Sequence, residues 1–205
     1  MPKIKLTKGE LKKQRDALKQ YKRYLPTLQL KKQQLQMEIL HQSNIIEEKK
    51  RNEAVKISAA ESWLGLLSEP HTDVRPWILP QETVCGTKNI AGVDLPVFES
   101  IVFVPAEYDL FLTPLWADHA IEALKVIISL REEIKVIEKG IAILKHELRI
   151  ITQRVNLFEK VKIPETEDTI RLIKIYIGDQ MANAVGCSKI AKKKIEASIF
   201  EEVGV

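Results

Sequence analysis

The sequence predicts a mainly α-helical protein. Two long helices form an antiparallel coiled-coil hairpin, and a small β-hairpin sits in a loop-rich middle at its closed end. Three observations carry this. The C-terminal half holds an unbroken heptad seam from Ile127 to Phe158. A weaker seam runs from Leu11 to Ile46. Six of the nine prolines (Pro70, Pro76, Pro80, Pro96, Pro105 and Pro114) fall between the two. Proline removes a backbone donor and crowds the preceding turn, so that middle cannot be one long helix.

Composition agrees with a narrow helical seam. The 205 residues are 45% hydrophobic and 29% charged, but only 6% aromatic. The apolar content is mostly Leu, Ile and Val. Such a chain folds rather than staying disordered, and its length suits one or two domains. No stretch approaches the roughly 18 apolar residues that a membrane span needs. The best candidate, Ile121 to Leu130, contains Glu122 and Lys125. No apolar run follows the start, so no secretory leader is expected. Cys85 and Cys187 lie far apart and neither sits in a metal-type pair, which reads as a reduced, cytosolic protein.

Charge divides the chain in the same way. Residues 1–62 hold 15 Lys/Arg against 7 Asp/Glu, residues 63–118 hold 2 against 8, and residues 119–205 hold 15 against 13. The predicted organisation is therefore a stalk built from 1–62 and 118–205, with an acidic, proline-rich segment over 63–117.

The first arm opens on Thr7 and Glu10, the spacing of a capping box. Counting a and d positions from Leu11 gives Leu11, Gln14, Leu18, Tyr21, Leu25, Leu28, Lys32, Leu35, Ile39, Gln42 and Ile46. Eight of these eleven are apolar. Pro26 falls inside the run and should kink the helix without ending it. The last arm is stronger. Ile127, Leu130, Ile134, Ile137, Ile141, Leu144, Leu148, Ile151, Val155 and Phe158 are all apolar, with charges between them. After Pro164 a second helical run carries Ile170, Ile173, Ile177 and Met181.

Paired antiparallel, the stretch 7–62 would extend about 84 Å at ~1.5 Å per residue. Facing residues should add up to about 180, which places Leu25 near Val155 and Leu11 near Thr169. Residues past 175 would then overhang the first helix. In the middle, Asn89 to Pro96 and Val97 to Val104 read as two short strands. Trp63, Leu64, Leu66, Leu67, Trp77, Phe111 and Trp116 are candidates for a small core at the closed end.

Little in the sequence points to catalysis. It contains no Gly-x-Gly-x-x-Gly, no phosphate loop, no His-Glu-x-x-His and no Cys-x-x-Cys. Glu69, His71 and Asp73, with Asp118 and His119, read as a solvated turn and a helix start rather than a metal site, because ligands must converge at about 2 Å. Cys85 has no base spelled nearby. His41 and His146 fall on the arms as flank or interface residues. The predicted catalytic, cofactor and metal sets are therefore empty. The basic ends permit a nucleic-acid-binding arm, but only Tyr21 and Tyr24 interleave them, and a single-strand binder needs more aromatic rings.

Several stretches resemble the D subunit of the V-type and A/V-type rotary ATPases, the central rotor stalk. One is Gln153 to Pro164, with Arg154, Val155, Asn156, Glu159 and Pro164 in family positions, followed by Thr169-Ile170-Arg171. Others are Asn89 to Val93 with Pro96, Thr7 to Leu11, and Lys189 to Ile195. Gln153, Leu157-Phe158 and Pro26 depart from the family pattern.

The resemblance implies a non-catalytic subunit that transmits torque between a catalytic head and a membrane rotor ring, peripheral to the inner, cytoplasmic face of the membrane. It implies a second, smaller central-stalk subunit, catalytic and non-catalytic head subunits, and a funnel-shaped adaptor as partners. It implies neither nucleic acid nor insertion into the bilayer. The face proposed for the second stalk subunit is Leu35, Ile39, Gln42 and Ile46 with Ile134, Ile141 and Leu148. The face proposed for the head is Lys8, Lys12, Ile170, Ile173, Ile177 and Lys192, Lys193 and Lys194. The alternative class is a coiled-coil nucleic-acid-binding arm or scaffold protein.

Overall fold

The computed structural model describes residues 5–68, 74–105 and 113–203. It contains α1 (Lys8–Glu61), β1 (Pro80–Ile90), β2 (Val93–Phe103), α2 (Trp116–Leu157) and α3 (Ile163–Val203). Short 3-10 turns at Leu64–Ser68 and Arg75–Ile78 precede the strands, and a π turn, Phe158–Lys162, joins α2 to α3. Glu69, His71, Asp73 and Phe111, singled out above, lie outside the described residues.

α1 forms half of its predicted capping box: the Thr7 hydroxyl serves the helix, but the Thr7 amide donates to the Lys5 carbonyl at 3.0 Å rather than to Glu10. The Glu10 amide donates to Thr7 Oγ1 at 3.3 Å, while the Glu10 carboxylate accepts from Gln14 at 2.9 Å. The helix runs for 54 residues with Pro26 inside it, so the proline does not end it. All eleven a and d positions from Leu11 to Ile46 are buried or half-buried, including Gln14, Lys32 and Gln42. So are all ten from Ile127 to Phe158.

The chain forms two compact units, residues 30–151 and residues 1–29 with 152–205. In the first, Arg131 pairs with Glu53 at 2.6 Å, Lys49 with Glu133 at 3.0 Å and Lys50 with Glu138 at 2.9 Å. Ile46 packs with Ile134 and Ile141. Residue numbers fall on one helix as they rise on the other, so the arms are antiparallel. These pairs sit up to about two helical turns beyond the predicted register. At the closed end the buried residues are Ala60, Val74, Ala117, Ala120 and Ile121. Leu64 and Leu66 are exposed and the tryptophans only half-buried, which corrects the expected core.

In the other unit, Tyr21 and Phe158 meet with ring centroids 5.4 Å apart, and Lys22 pairs with Glu167 at 2.6 Å. Leu6 lines a groove with Asp168 and Asp179. The order is again antiparallel. From Gly178 to Ser198 every residue but Gly186 is exposed, as an overhanging helix requires.

The β-hairpin exists, but its strands differ from those predicted. The turn falls at Ala91-Gly92, inside the predicted first strand. Both residues have positive φ, 52° and 74°, the conformation of a two-residue hairpin turn whose twist matches the strands. Asn89 secures it: its Oδ1 accepts from the Gly92 amide at 3.1 Å, and its amide donates to Asp94 at 2.6 Å. Pro96 is tolerated within β2, opposite Thr87, because a two-stranded sheet has only edge strands. The polar stretch from Gln81 to Thr83 lacks an apolar alternation and so hid the start of β1. Leu95 is buried, and with Ile90 and Phe98 it faces a cleft of about 190 Å³ against Gln42, Ile45 and Ile137. The hairpin therefore lies back along the arms.

Candidate functional site

The residues proposed for the second stalk subunit fall into two sets. Leu35, Ile46, Ile134 and Ile141 are buried in the seam between α1 and α2. Ile39 packs against the same cluster, and Leu148 is half-buried. These side chains hold the arms together. Gln42 is half-buried and donates from Nε2 to Glu38 at 2.7 Å, so its polar head is satisfied within its own helix.

What faces outward on this stretch is a row that the heptad count passes over. Met37 is 72% exposed and Leu40 66%, with Leu30 also exposed on α1 and Ile143 on α2. Their signal was present in the sequence, since Leu30 and Met37 are seven apart and lie off the a and d positions. A heptad scan discards them as flank.

The residues proposed for the head divide the same way. Ile170 and Ile173 are buried within their own unit, and Ile177 is half-buried. Lys8, Lys12 and Lys192 to Lys194 are exposed, and Lys192 reaches Glu196 at 3.7 Å. Outward on α3 stand Leu172, Ile175 and Tyr176, followed by Met181 and Val185. Of the motif residues, Val155 is buried in the seam, whereas Arg154, Asn156, Glu159, Pro164 and Arg171 are exposed.

The described residues assemble no group of three His, Cys, Asp or Glu side chains able to hold a metal. His41, His119 and His146 are exposed, as are the free thiols of Cys85 and Cys187. No described helix is long and apolar enough to cross a membrane. Ion pairs lace the sides of the arms, and apolar rows remain in solvent beside them. Leu172, Ile175 and Tyr176 share an open groove with Leu6, and Met37 shares another with Ile90 and Ala91 at the hairpin turn.

The fold is thus a mainly helical, antiparallel two-helix coiled coil with a small β-hairpin, and its described residues assemble no metal-binding group. The family described as the ATP synthase D subunit matches residues 10–193. The chain is 48% identical over 195 residues to the V-type ATP synthase D subunit of Borreliella burgdorferi, covering 95% of this chain and 96% of that one. It is 35% identical over 198 residues to the protein of the same name from Chlamydia pneumoniae, covering 94% and 93%. The corresponding Chlamydia trachomatis protein is 33% identical over 195 residues, covering 94% and 96%. The chain belongs to the ATP synthase D subunit family.

Proposed function

We propose that this protein is the central rotor stalk subunit of a V-type proton- or sodium-translocating ATPase/ATP synthase. It is non-catalytic and transmits torque between a nucleotide-driven head and a membrane rotor ring. The observation that carries this reading is a family match over residues 10–193 on a chain whose counted seam positions are all buried or half-buried. Two helices that share one seam resist twisting better than one, which is what an axle needs.

The surfaces suit the partners that this reading requires. The second stalk subunit docks along the arms between Leu30 and Leu40 and beside Ile143, where apolar side chains remain outward. The overhanging α3 enters the head and offers Leu172, Ile175 and Tyr176. The lysines at both ends form a hydrated bearing, because exposed ion pairs contribute only about 0–1 kcal/mol each and bind no single angle tightly. The closed end meets the adaptor of the membrane ring, on the inner face of the membrane.

Co-purification tests the proposal. The tagged full chain, recovered from a native membrane extract, brings down large nucleotide-binding ring subunits in fixed ratio. Elution with nucleic acid instead, with a steep salt dependence, would favour the arm reading and overturn the rotor.

A further inference from the structure

α3 carries two rows of apolar side chains, and only one can face α1. The first is Ile170, Ile173 and Ile177; the second is Leu172, Ile175 and Tyr176. Upstream, the seam runs in regular sevens to Phe158, where Val155 is buried and Phe158 meets Tyr21. Counting on from Phe158 brings Lys162, Glu165, Thr169, Leu172 and Tyr176 to the seam. The residues actually buried are Thr166, Ile170 and Ile173, each one position later, while Leu172 and Tyr176 stay 53% and 40% exposed, in an open groove they share with Leu6.

One residue has therefore been absorbed, and the π turn Phe158–Lys162 is where it goes. The Ile163 amide donates to the Phe158 carbonyl, five residues back instead of four. A helix advances about 100° per residue. Without the turn, the first row would swing away from α1 by about that angle, and Glu165 and Thr169 would enter the seam with Leu172.

The local chemistry favours a wide turn at this place. Pro164 has no amide hydrogen, and its ring crowds the carbonyl four residues back, that of Lys160. Surplus residues in helices collect as single π turns. Thr166, buried, donates its hydroxyl to the Lys162 carbonyl and so closes the end of the turn.

We propose that this π turn is the angular index of the C-terminal arm: a one-residue insertion that selects Ile170, Ile173 and Ile177 as the row packed on α1 and leaves Leu172, Ile175 and Tyr176 outward. Residue count, rather than local distortion at Pro164, is the operative variable. The proposal concerns packing within the chain and stands independently of the rotor reading.

Three full-length variants in one Pro164→Ala, Cys85→Ser, Cys187→Ser background test it: the parent, one lacking Lys160, and one with an extra alanine after Lys160. Single cysteines at Leu172 or Ile173 report by maleimide labelling which row faces out. In the parent and in the deletion, cysteine at 172 labels at least about tenfold faster than at 173, because the buried site reacts only on opening. The deletion removes the surplus residue, restores unbroken sevens, and melts no lower than the parent. The insertion melts lower, and its contrast between 172 and 173 shrinks or reverses. Unfolding or inverted labelling in the deletion, or equal damage from deletion and insertion, would overturn the proposal.

Discussion

Replacing Leu144 with alanine tests the seam at a fully buried point. Leu144 lies on α2 with no exposed surface, and its neighbour Ile143 is 41% exposed. The two share a helix and nearly the same volume, so burial is what separates them. Leu→Ala removes about three methylene equivalents at ~0.8 kcal/mol each, or roughly 2.4 kcal/mol. A residual cavity adds to that, and the usual range is about 2–5 kcal/mol. A seam between only two helices closes over a gap more easily than a thick core, so we place the cost at about 2–3 kcal/mol. For a chain of this size each kcal/mol moves the melting midpoint by about 2–4 °C, so Leu144→Ala should lower it by about 4–12 °C. Ile143→Ala should cost no more than about 0.5–1 kcal/mol. Far-UV circular dichroism during heating and urea titration reads both, with an unchanged urea slope showing that the unfolded state is not the cause. Equal effects of the two substitutions would refute the seam phase.

Three further outcomes follow. Gly92→Val forces a β-branched residue to a φ of 74° and should cost about 1–2 kcal/mol, with lost amide protection along β1 and β2 in hydrogen exchange; unchanged protection would mean the turn is not the hairpin's determinant. Lys32→Leu should raise thermal stability by filling a half-buried seam position, whereas Gln42→Leu should gain less, because it forfeits the bond to Glu38, about 1 kcal/mol; a larger gain from Gln42→Leu would contradict this. Neutralising Lys192 to Lys194 together should leave ATP hydrolysis by the assembled complex within a few-fold, while truncation before Ile170 should weaken coupling between hydrolysis and ion transport; the reverse order would make the lysines a specific site.

The seam was legible because burial imposes a period on the sequence. Ile127 to Phe158 repeats apolar residues every three or four positions, and every one of them is buried or half-buried. The start of α1 was legible because a Thr7 cap acts locally, but the Glu10 half of the box was not, since that carboxylate takes the Gln14 amide instead. The hairpin was legible as an element but not in its bounds. Ala91 at positive φ carries no turn signature of its own, and Asn89 sits two residues before the first turn position, where an Asn-Gly pair would announce itself. The π turn was invisible because Pro164 reads equally as a helix end. It is exposed only by comparing the buried set beyond Thr166 with the count from Phe158. Which apolar residues stay outward was the least legible. A heptad scan finds apolar residues without telling which the chain uses itself. Leu35 and Ile173 turn out fully buried, while Met37 and Leu172 stay outward.

A central stalk must turn within its head. Cys85 is an exposed thiol on the β-hairpin, and with Cys187→Ser it offers one attachment point for a bead or gold particle. The head complex, assembled from purified subunits and held on a surface, is then watched under ATP. The account predicts rotation of the probe in one direction, in regular steps, at a rate set by ATP concentration. A probe that stays bound and stationary while the same complexes hydrolyse ATP would contradict it.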